Sequence, residues 1–203
     1  MPVGAGGGTL DAMVRVAQRS HLTADEYLAW ERDQPLRHEF YRGEVFAMAG
    51  GSMRHNALCA SLIEALRGQL RGRCVVLTSD QRVVAGDRNR YVYPDISIVC
   101  GQVLAEPGSN DVLANPTMLI EVLSNSTEQY DRGLKWDGYQ RIESLTDYLL
   151  VSQAEPRIEH FRRDRNRTWL YQFAAAGERL ALSNDAVLDI DAIFAGAFDL
   201  VGD

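Results

Sequence analysis

The chain has 203 residues, of which 46% are hydrophobic, and a formal net charge of −7 at pH 7. This length suffices for one sizeable hydrophobic core and is short for two. The acidic balance excludes a protein coated for non-specific nucleic-acid binding, which would be basic overall, although a local basic surface is still compatible with it. Its apolar runs are shorter than the roughly 18 to 20 residues that span a bilayer, so no membrane partner is expected.

The ends and the cysteines suggest where the protein works. Residues 1–20 are predicted to be a flexible tail and residues 21–203 a single domain; Met1–Leu10 is glycine-rich and lacks the features of a secretory signal. The cysteines Cys59, Cys74 and Cys100 show no C-x-x-C spacing and are expected to be buried free thiols. A cytoplasmic location follows, and no zinc site of the usual spacing can be written.

Capping and turn signals define the first elements. Thr23 and Glu26 have the spacing of a capping box and predict a short helix that ends by Pro35. Arg42-Gly43 separates two short apolar–polar runs and predicts a tight hairpin. Ser52 is a candidate N-cap for a long helix to about Arg71.

Strand patterns dominate the rest of the chain. A surface loop with at most one helical turn is expected at 101–116. Residues 124–127 offer several N-caps for a helix that continues to about Ile142, and a last short helix is expected within 187–198. Strands are predicted at 74–78, 81–85, 91–100, 118–123, 148–152, 157–163 and 168–173. The order of elements indicates an α/β class (α+β, with a central mixed sheet flanked by helices).

Two acidic residues interrupt apolar strands. Asp95 follows Pro94 in the run 91–100, and Glu121 lies in the run 118–123. A buried carboxylate is costly without a compensating partner, and a divalent cation with oxygen ligands could compensate both. The structural alternatives are a turn-capping role for Asp95 and a buried ion pair with an arginine for Glu121. We weigh the metal hypothesis above them, because Asp95 would need a second such explanation.

A lysine follows the second acid on the next predicted helix. Lys135 has Asp131 four residues before it, which would make an ordinary surface ion pair. Trp136 and Tyr139 make this helix amphiphilic, so that the lysine could instead lean over the strand ends. There an ammonium group could orient a nucleophilic water or stabilise developing phosphorane charge. Arg132 is a weaker candidate for the same role.

The ordered motifs resemble a known family. Pro94-Asp95, Glu121-Val122-Leu123 and a lysine on the next helix are similar to the PD-(D/E)xK nuclease motif in a form with a migrated lysine. The surrounding sequence resembles the Uma2 family (DUF820) of restriction-endonuclease-like proteins over roughly residues 22–173. The segments that carry this resemblance are 41–45, 48–56, 93–97, 120–127, 130–135 and 148–151.

The resemblance implies a restriction-endonuclease-like core that acts on DNA. It implies Mg²⁺, for which Mn²⁺ could substitute, bound by Asp95 and Glu121, and it places Glu44 and Lys135 in the site. The family motif usually has its lysine two residues after the second acid, where this chain has Leu123. The structural alternative for Glu44 is a polar hairpin residue; in the functional interpretation, which the resemblance favours, it supports a second metal or acts as a water-positioning base.

Other polar residues are ambiguous. His55 could touch phosphate or simply cap or stack, and Gln153 is a weaker candidate for lining the site. A predicted hairpin carries a basic group that could contact phosphates or only protect a sheet edge: Arg157, His160, Arg162, Arg163, Arg165 and Arg167.

The leading hypothesis is therefore a Mg²⁺-dependent endonuclease that hydrolyses DNA phosphodiester bonds. One alternative is a catalytically inactive binding or scaffold module with the nuclease fold, which the acidic charge and Leu123 favour. Another keeps the metal site but acts on RNA or a nucleotide. A homodimer is plausible, because cutting both strands of a duplex needs two sites or two visits.

Overall fold

The computed structural model describes residues 21–48 and 50–202, so the tail predicted for 1–20 lies outside the described residues. The helices are α1 (Ala24–Glu31), α2 (Met53–Leu70), α3 (Glu128–Tyr130), α4 (Trp136–Tyr139) and α5 (Ile190–Phe194), with a π-helical turn at Asp131–Lys135 and a 3-10 turn at Ala197–Asp199. The strands are β1 (His38–Tyr41), β2 (Glu44–Ala47), β3 (Cys74–Thr78), β4 (Arg82–Val84), β5 (Arg90–Val92), β6 (Ile96–Cys100), β7 (Val112–Leu113), β8 (Met118–Val122), β9 (Asp147–Val151), β10 (Arg157–Arg163), β11 (Trp169–Ala175), β12 (Arg179–Ala181) and β13 (Val187–Asp189).

The predicted helix starts are confirmed by their caps. The Glu26 carboxylate accepts a hydrogen bond of 2.8 Å from the Thr23 backbone N–H, and the Thr23 hydroxyl accepts one from Glu26 N–H, which completes the capping box. Ser52 Oγ accepts a 3.1 Å hydrogen bond from the His55 N–H and caps α2. Within the described ranges no helix is both long and apolar enough to cross a membrane.

The described strands form mixed sheets, which confirms the predicted class. A six-stranded sheet has the order β11-β10-β9-β8-β6-β3, and its β8–β9 pair is parallel while the other pairs are antiparallel. A five-stranded sheet has the order β2-β1-β5-β4-β7, with a parallel β4–β7 pair. Strands β12 and β13 form a small separate hairpin.

The six-stranded sheet has a core on each face. On one face, Ile120 and Val122 of β8 pack with leucines of α2 and with α5. On the other face, Leu119 and Leu123 pack with Tyr139 and with residues of the five-stranded sheet. Side chains alternate along a strand, so Glu121 projects toward this second core.

The prediction of one strand over 91–100 is wrong. Residues 90–92 belong to the five-stranded sheet and 96–100 to the six-stranded sheet, so Tyr93–Asp95 crosses between them. Pro94 has no N–H to donate to a ladder, which explains the break at this point. The segment 101–116 contains the short strand β7 rather than a helical turn, and 187–198 is part strand and part helix.

The expectation of three free thiols is also wrong. Cys74 and Cys100 stand directly opposite each other on the antiparallel strands β3 and β6, and they form a disulfide. Cys59 is the free cysteine. The argument for a cytoplasmic location that rested on three reduced thiols therefore loses its basis.

Candidate active site

Strand register brings the two strand acids together. Strands β6 and β8 are antiparallel with Ile96 opposite Ile120, and the same register extended by one residue sets Asp95 opposite Glu121. Side chains opposite each other in such a pair point to the same face, about 4.5–5.5 Å apart at Cβ. Both side chains line one cavity at the end of β6, where the chain crosses from one sheet to the other.

Glu121 is held by two donors in a buried setting. Its Oε1 accepts hydrogen bonds of 3.1 Å from Lys135 Nζ and 2.7 Å from the Tyr139 hydroxyl. The residue is 3% exposed. Burial raises the pKa of Glu121 above its usual range, and the neighbouring carboxylates of Asp131 and Asp95 add to this while Lys135 opposes it.

Lys135 lies within ion-pair distance of three carboxylates. Its Nζ is 3.1 Å from Glu121 Oε1, 3.1 Å from Asp131 Oδ1 and 3.3 Å from Glu39 Oε1. We call these four side chains the lysine cluster. Burial acts against the charged lysine, but the three acids outweigh it and hold its pKa well above the usual range.

The π-helical turn positions this lysine. Asp131 and Lys135 are its first and last residues, and both are buried. Such wider turns inside α-helices are rare and often occur at functional sites. The alternative for Lys135 was a surface pair with Asp131; the pair exists, but it is buried, and burial raises the pKa of Asp131.

Asp95 is held by the neighbouring strand and by α2. Its Oδ2 accepts a 2.8 Å hydrogen bond from the Val122 N–H and lies 3.2 Å from His55 Nε2. The side chains of Asp95 and His55 are each 14% exposed, so this pair is reachable from solvent. Burial disfavours the charged histidine, but the hydrogen bonds to Asp95 and Cys59 outweigh it and raise the pKa of His55.

A cavity of about 560 Å³ opens beside these carboxylates. Its walls come from the hairpin β1–β2, the start of α2, the crossing segment and the π-helical turn. The lining residues with side chains able to coordinate, donate or titrate are Glu39, His55, Asn56, Ser79, Tyr93, Asp95, Glu121, Ser124, Ser126, Thr127, Tyr130, Asp131 and Lys135.

Three of the four predicted site residues come together. Asp95, Glu121 and Lys135 line this cavity. Glu44 lies elsewhere on the hairpin: it stands opposite Tyr41 beside the turn, and it is not among the described residues that line the cavity. Glu39 is on the same face of the hairpin, two residues before Tyr41, and it reaches Lys135.

Two important contacts of the site were not singled out in the sequence. Glu39 accepts a 3.1 Å hydrogen bond from the Tyr93 N–H in addition to its ion pair with Lys135. No signal of the kind that revealed Glu121 marks Glu39, because it follows His38 and fits the alternation of a hairpin strand. The Tyr139 hydroxyl bonds Glu121, whereas the sequence showed only an amphiphilic aromatic residue.

Other polar candidates have structural contacts. Gln153 donates a 2.8 Å hydrogen bond to the Leu123 carbonyl and accepts one from the Ser52 hydroxyl, which ties α2 to the end of β8. His160, counted in the basic hairpin, is fully buried and lies 2.7 Å from Asp147. Arg132 is bound to Glu128 and Glu159.

The carboxylates fit a hard divalent cation. Among the described residues, the hydrogen bonds to Asp95 involve Oδ2 and those to Glu121 involve Oε1, which leaves Oδ1 and Oε2 for another ligand. Both side chains line the same cavity. Carboxylate oxygens on a shared wall are the donors that Mg²⁺ or Mn²⁺ prefers.

Comparisons with known proteins give a consistent result. The model of the Uma2 family, described as "Putative restriction endonuclease", matches residues 24–192. The "Uncharacterized protein slr1290" of Synechocystis sp. (strain ATCC 27184 / PCC 6803 / Kazusa) is 33% identical over 177 residues, covering 86% of this chain and 92% of the relative. The "Uncharacterized protein sll1609" of the same strain is 33% identical over 159 residues, covering 78% of this chain and 90% of the relative.

A solved structure shares the fold. The crystal structure of "a putative nuclease belonging to DUF820" from Anabaena variabilis ATCC 29413 superimposes with a TM-score of 0.71 and 16% sequence identity. The match covers 87% of this chain and 99% of that one. At this level of identity the likeness establishes the architecture.

Proposed function

Since this chain belongs to the Uma2 family, we propose that it is a divalent-metal-dependent endonuclease that hydrolyses DNA phosphodiester bonds. The observation that carries the proposal is that Asp95 and Glu121 line the same cavity, with Lys135 Nζ 3.1 Å from Glu121. This arrangement of two carboxylates and a lysine supports the assignment of a nuclease motif with a migrated lysine.

Asp95 and Glu121 would hold the cation, Mg²⁺ by preference and Mn²⁺ as a substitute. When bound there, such a cation polarises a scissile phosphate and lowers the pKa of a coordinated water. The protein prepares these ligands in two ways: Val122 N–H fixes one oxygen of Asp95, and Lys135 with Tyr139 fixes one oxygen of Glu121. Each carboxylate is thus oriented before any ligand arrives.

Lys135 acts first as a positioning residue. An ammonium group has three N–H donors, and three carboxylates surround this one. Its charge keeps Glu121 closer to the ionised form that a cation requires. To contact a phosphate directly, the ammonium would have to release one of its carboxylate partners.

The substrate assignment rests on the family and on the cavity. DNA is the substrate class that the family description implies, and the serine and threonine hydroxyls of residues 124–127 offer neutral donors for a phosphate beside the carboxylates. RNA or a nucleotide would use the same metal site. A homodimer remains a prediction that sedimentation in solution would test.

The decisive experiment compares E121Q and D95N with the control E64Q. All three remove one carboxylate, but Glu64 is exposed on α2 away from the cavity. We expect E121Q and D95N to lose Mn²⁺ binding, measured by electron paramagnetic resonance, and to lose metal-dependent cleavage of plasmid DNA by at least about 100-fold. E64Q should bind and cleave like the wild type.

Each other outcome identifies a different error. Cleavage by E121Q at the wild-type rate would show that the site is wrongly assigned. If the wild type fails to bind Mn²⁺ at millimolar concentration, the chain is an inactive module with the nuclease fold. Metal binding with cleavage confined to RNA or nucleotides would keep the site and change the substrate.

A further inference from the structure

A second group of metal-ligating side chains lies behind Asp95. His55 Nδ1 is 3.7 Å from Cys59 Sγ, and the other ring nitrogen, Nε2, is 3.2 Å from Asp95 Oδ2. One ligand atom from each of the three residues lies within 4.8 Å of the others. The sequence excluded zinc sites of the usual spacing, but it could not show that the segment between the two sheets places Asp95 beside His55 of α2.

Local structure holds this group in place. His55 and Cys59 are four residues apart on α2, so both project from one face of a regular helix. Gly51 packs against the imidazole so closely that a Cβ at that position would lie 2.6 Å from Nδ1. Asp95 is fixed from the other side by the Val122 N–H. Separate parts of the fold therefore hold the three side chains close together, and a cation would replace the contact that one of the two ring nitrogens now makes.

We infer that His55, Cys59 and Asp95 form a binding site for a thiophilic divalent cation, Zn²⁺ by its chemistry, that is distinct from the hard-cation site of Asp95 and Glu121. An imidazole nitrogen, a thiolate and a carboxylate oxygen are the donors that Zn²⁺ combines, and three protein ligands leave a fourth position open. Mg²⁺ prefers oxygen ligands, so a thiolate discriminates against it. When the cation binds, the thiol proton of Cys59 passes to solvent, and so does one proton of the His55 imidazole, whose charged form Asp95 and Cys59 favour in the metal-free protein.

Shared use of Asp95 gives this site a regulatory consequence, which rests on the proposed nuclease function. A cation ligated by His55 and Cys59 engages the Asp95 carboxylate from the α2 side. The negative charge of this carboxylate is then shared between two nearby cations, which also repel each other, so the hard cation beside Glu121 binds more weakly. Zn²⁺ would therefore inhibit Mg²⁺-dependent cleavage by weakening the binding of the hard cation at Asp95.

Cobalt spectroscopy tests the site without any measurement of activity. Co²⁺ replaces Zn²⁺ in such sites and gives a thiolate-to-metal charge-transfer band in the near ultraviolet. The chain has three cysteines, and the disulfide occupies two of them, so Cys59 is the thiol available to give this band. Titration of the non-reduced full chain should show the band saturating at one equivalent and its displacement by Zn²⁺.

The variant C59S should lose this band and bind Co²⁺ at least about 10-fold more weakly. A wild-type protein without the band, or a C59S protein with unchanged affinity, would overturn the inference. Thermal unfolding of the metal-free proteins establishes that C59S is folded. If it is not, H55N serves as the second variant, and it should weaken Co²⁺ binding while Cys59 remains.

A further comparison separates this inference from the proposed function. E121Q should lose Mn²⁺ binding but keep the Co²⁺ charge-transfer band, because Glu121 is not a ligand of the second site. Loss of the band in E121Q would mean that there is one site and would refute the second. For inhibition, the Zn²⁺ concentration that halves cleavage, relative to each protein's own zinc-free rate, should rise at least about 10-fold in C59S.

Discussion

Two buried acidic networks lie on the strand pair β8–β9 and differ in almost every respect. The lysine cluster gathers three carboxylates around one ammonium beside a cavity. At the other end of the pair and on the opposite face, Asp147 accepts hydrogen bonds from His160, Thr146 and the Ser183 N–H. The second ring nitrogen of His160, Nδ1, lies at a hydrogen-bond distance of 3.0 Å from the side-chain nitrogen of Gln172. We call Asp147, His160 and Gln172 the histidine cluster.

The pKa values of the acids move in opposite directions in the two networks. Burial raises the pKa of Glu121 and Asp131, neighbouring carboxylates add to this rise, and Lys135 opposes it without cancelling it. Burial also acts on Asp147, but hydrogen bonds from His160 and Thr146 outweigh it and lower the pKa. The histidine cluster is satisfied by the protein alone, whereas the lysine cluster has an excess of negative charge facing a cavity. That excess is what distinguishes a candidate cation site from a structural network.

The largest expected effect comes from K135M. Removing the ammonium leaves three buried carboxylates without their cation, so the free energy of unfolding should fall by about 3–5 kcal/mol. Denaturant titration measures this change. The control R132M removes a cation from the same turn whose ion pairs are more exposed, and it should cost about 1 kcal/mol or less. If K135M and R132M lose the same free energy of unfolding, the lysine cluster contributes no more to stability than a surface ion-pair network.

The substitution D147N should have an intermediate effect on stability. An amide cannot replace all the acceptors of Asp147, so the free energy of unfolding at pH 7 should fall by about 1–3 kcal/mol. Because the folded pKa of Asp147 is lowered, its contribution is complete above an unfolded pKa of about 3.9 and is lost as pH falls through the folded value. The difference in the free energy of unfolding between wild type and D147N should therefore become smaller in acid. The control is D137N, because Asp137 is exposed. A difference between wild type and D147N that grows in acid would contradict this assignment.

The smallest effect, with the opposite dependence on pH, is expected for E121Q without metal. The raised pKa of Glu121 means that the folded state binds more protons than the unfolded state between about pH 4.3 and the folded pKa. Wild-type stability therefore falls as pH rises through that window, while the glutamine does not titrate. At pH 8 the variant should equal or exceed the wild type, by on the order of 1 kcal/mol, and the difference should shrink in acid. If E121Q is clearly less stable than the wild type at pH 8, Glu121 stabilises the fold in the same way as Asp147.

The sequence revealed the acids whose surroundings were unusual. Glu121 stood out because apolar residues flank it, and its buried setting is confirmed. The ion-pair alternative is also realised, with Lys135 in place of the expected arginine. Helix starts were predictable because capping depends on residues three positions apart.

Contacts between distant segments could not be predicted in this way. Glu39 joins the site only because the hairpin packs against the π-helical turn, and no local pattern encodes that packing. The disulfide depends on the register of β3 and β6, which places Cys74 opposite Cys100. The break at Pro94 was predictable from its missing N–H, but the apolar residues on both sides favoured one continuous strand.

The position of Lys135 has a mechanical consequence. Glu39 belongs to the five-stranded sheet and Glu121 to the six-stranded sheet, so one ammonium fastens two separately hydrogen-bonded layers together. Asp95 ends the short segment that joins the same two layers. Any ligand that binds these carboxylates therefore also changes the ionic contact between the two sheets. Binding in the cavity should change the rate of amide hydrogen exchange in β1 and β5, because it changes how strongly these strands are held to the six-stranded sheet.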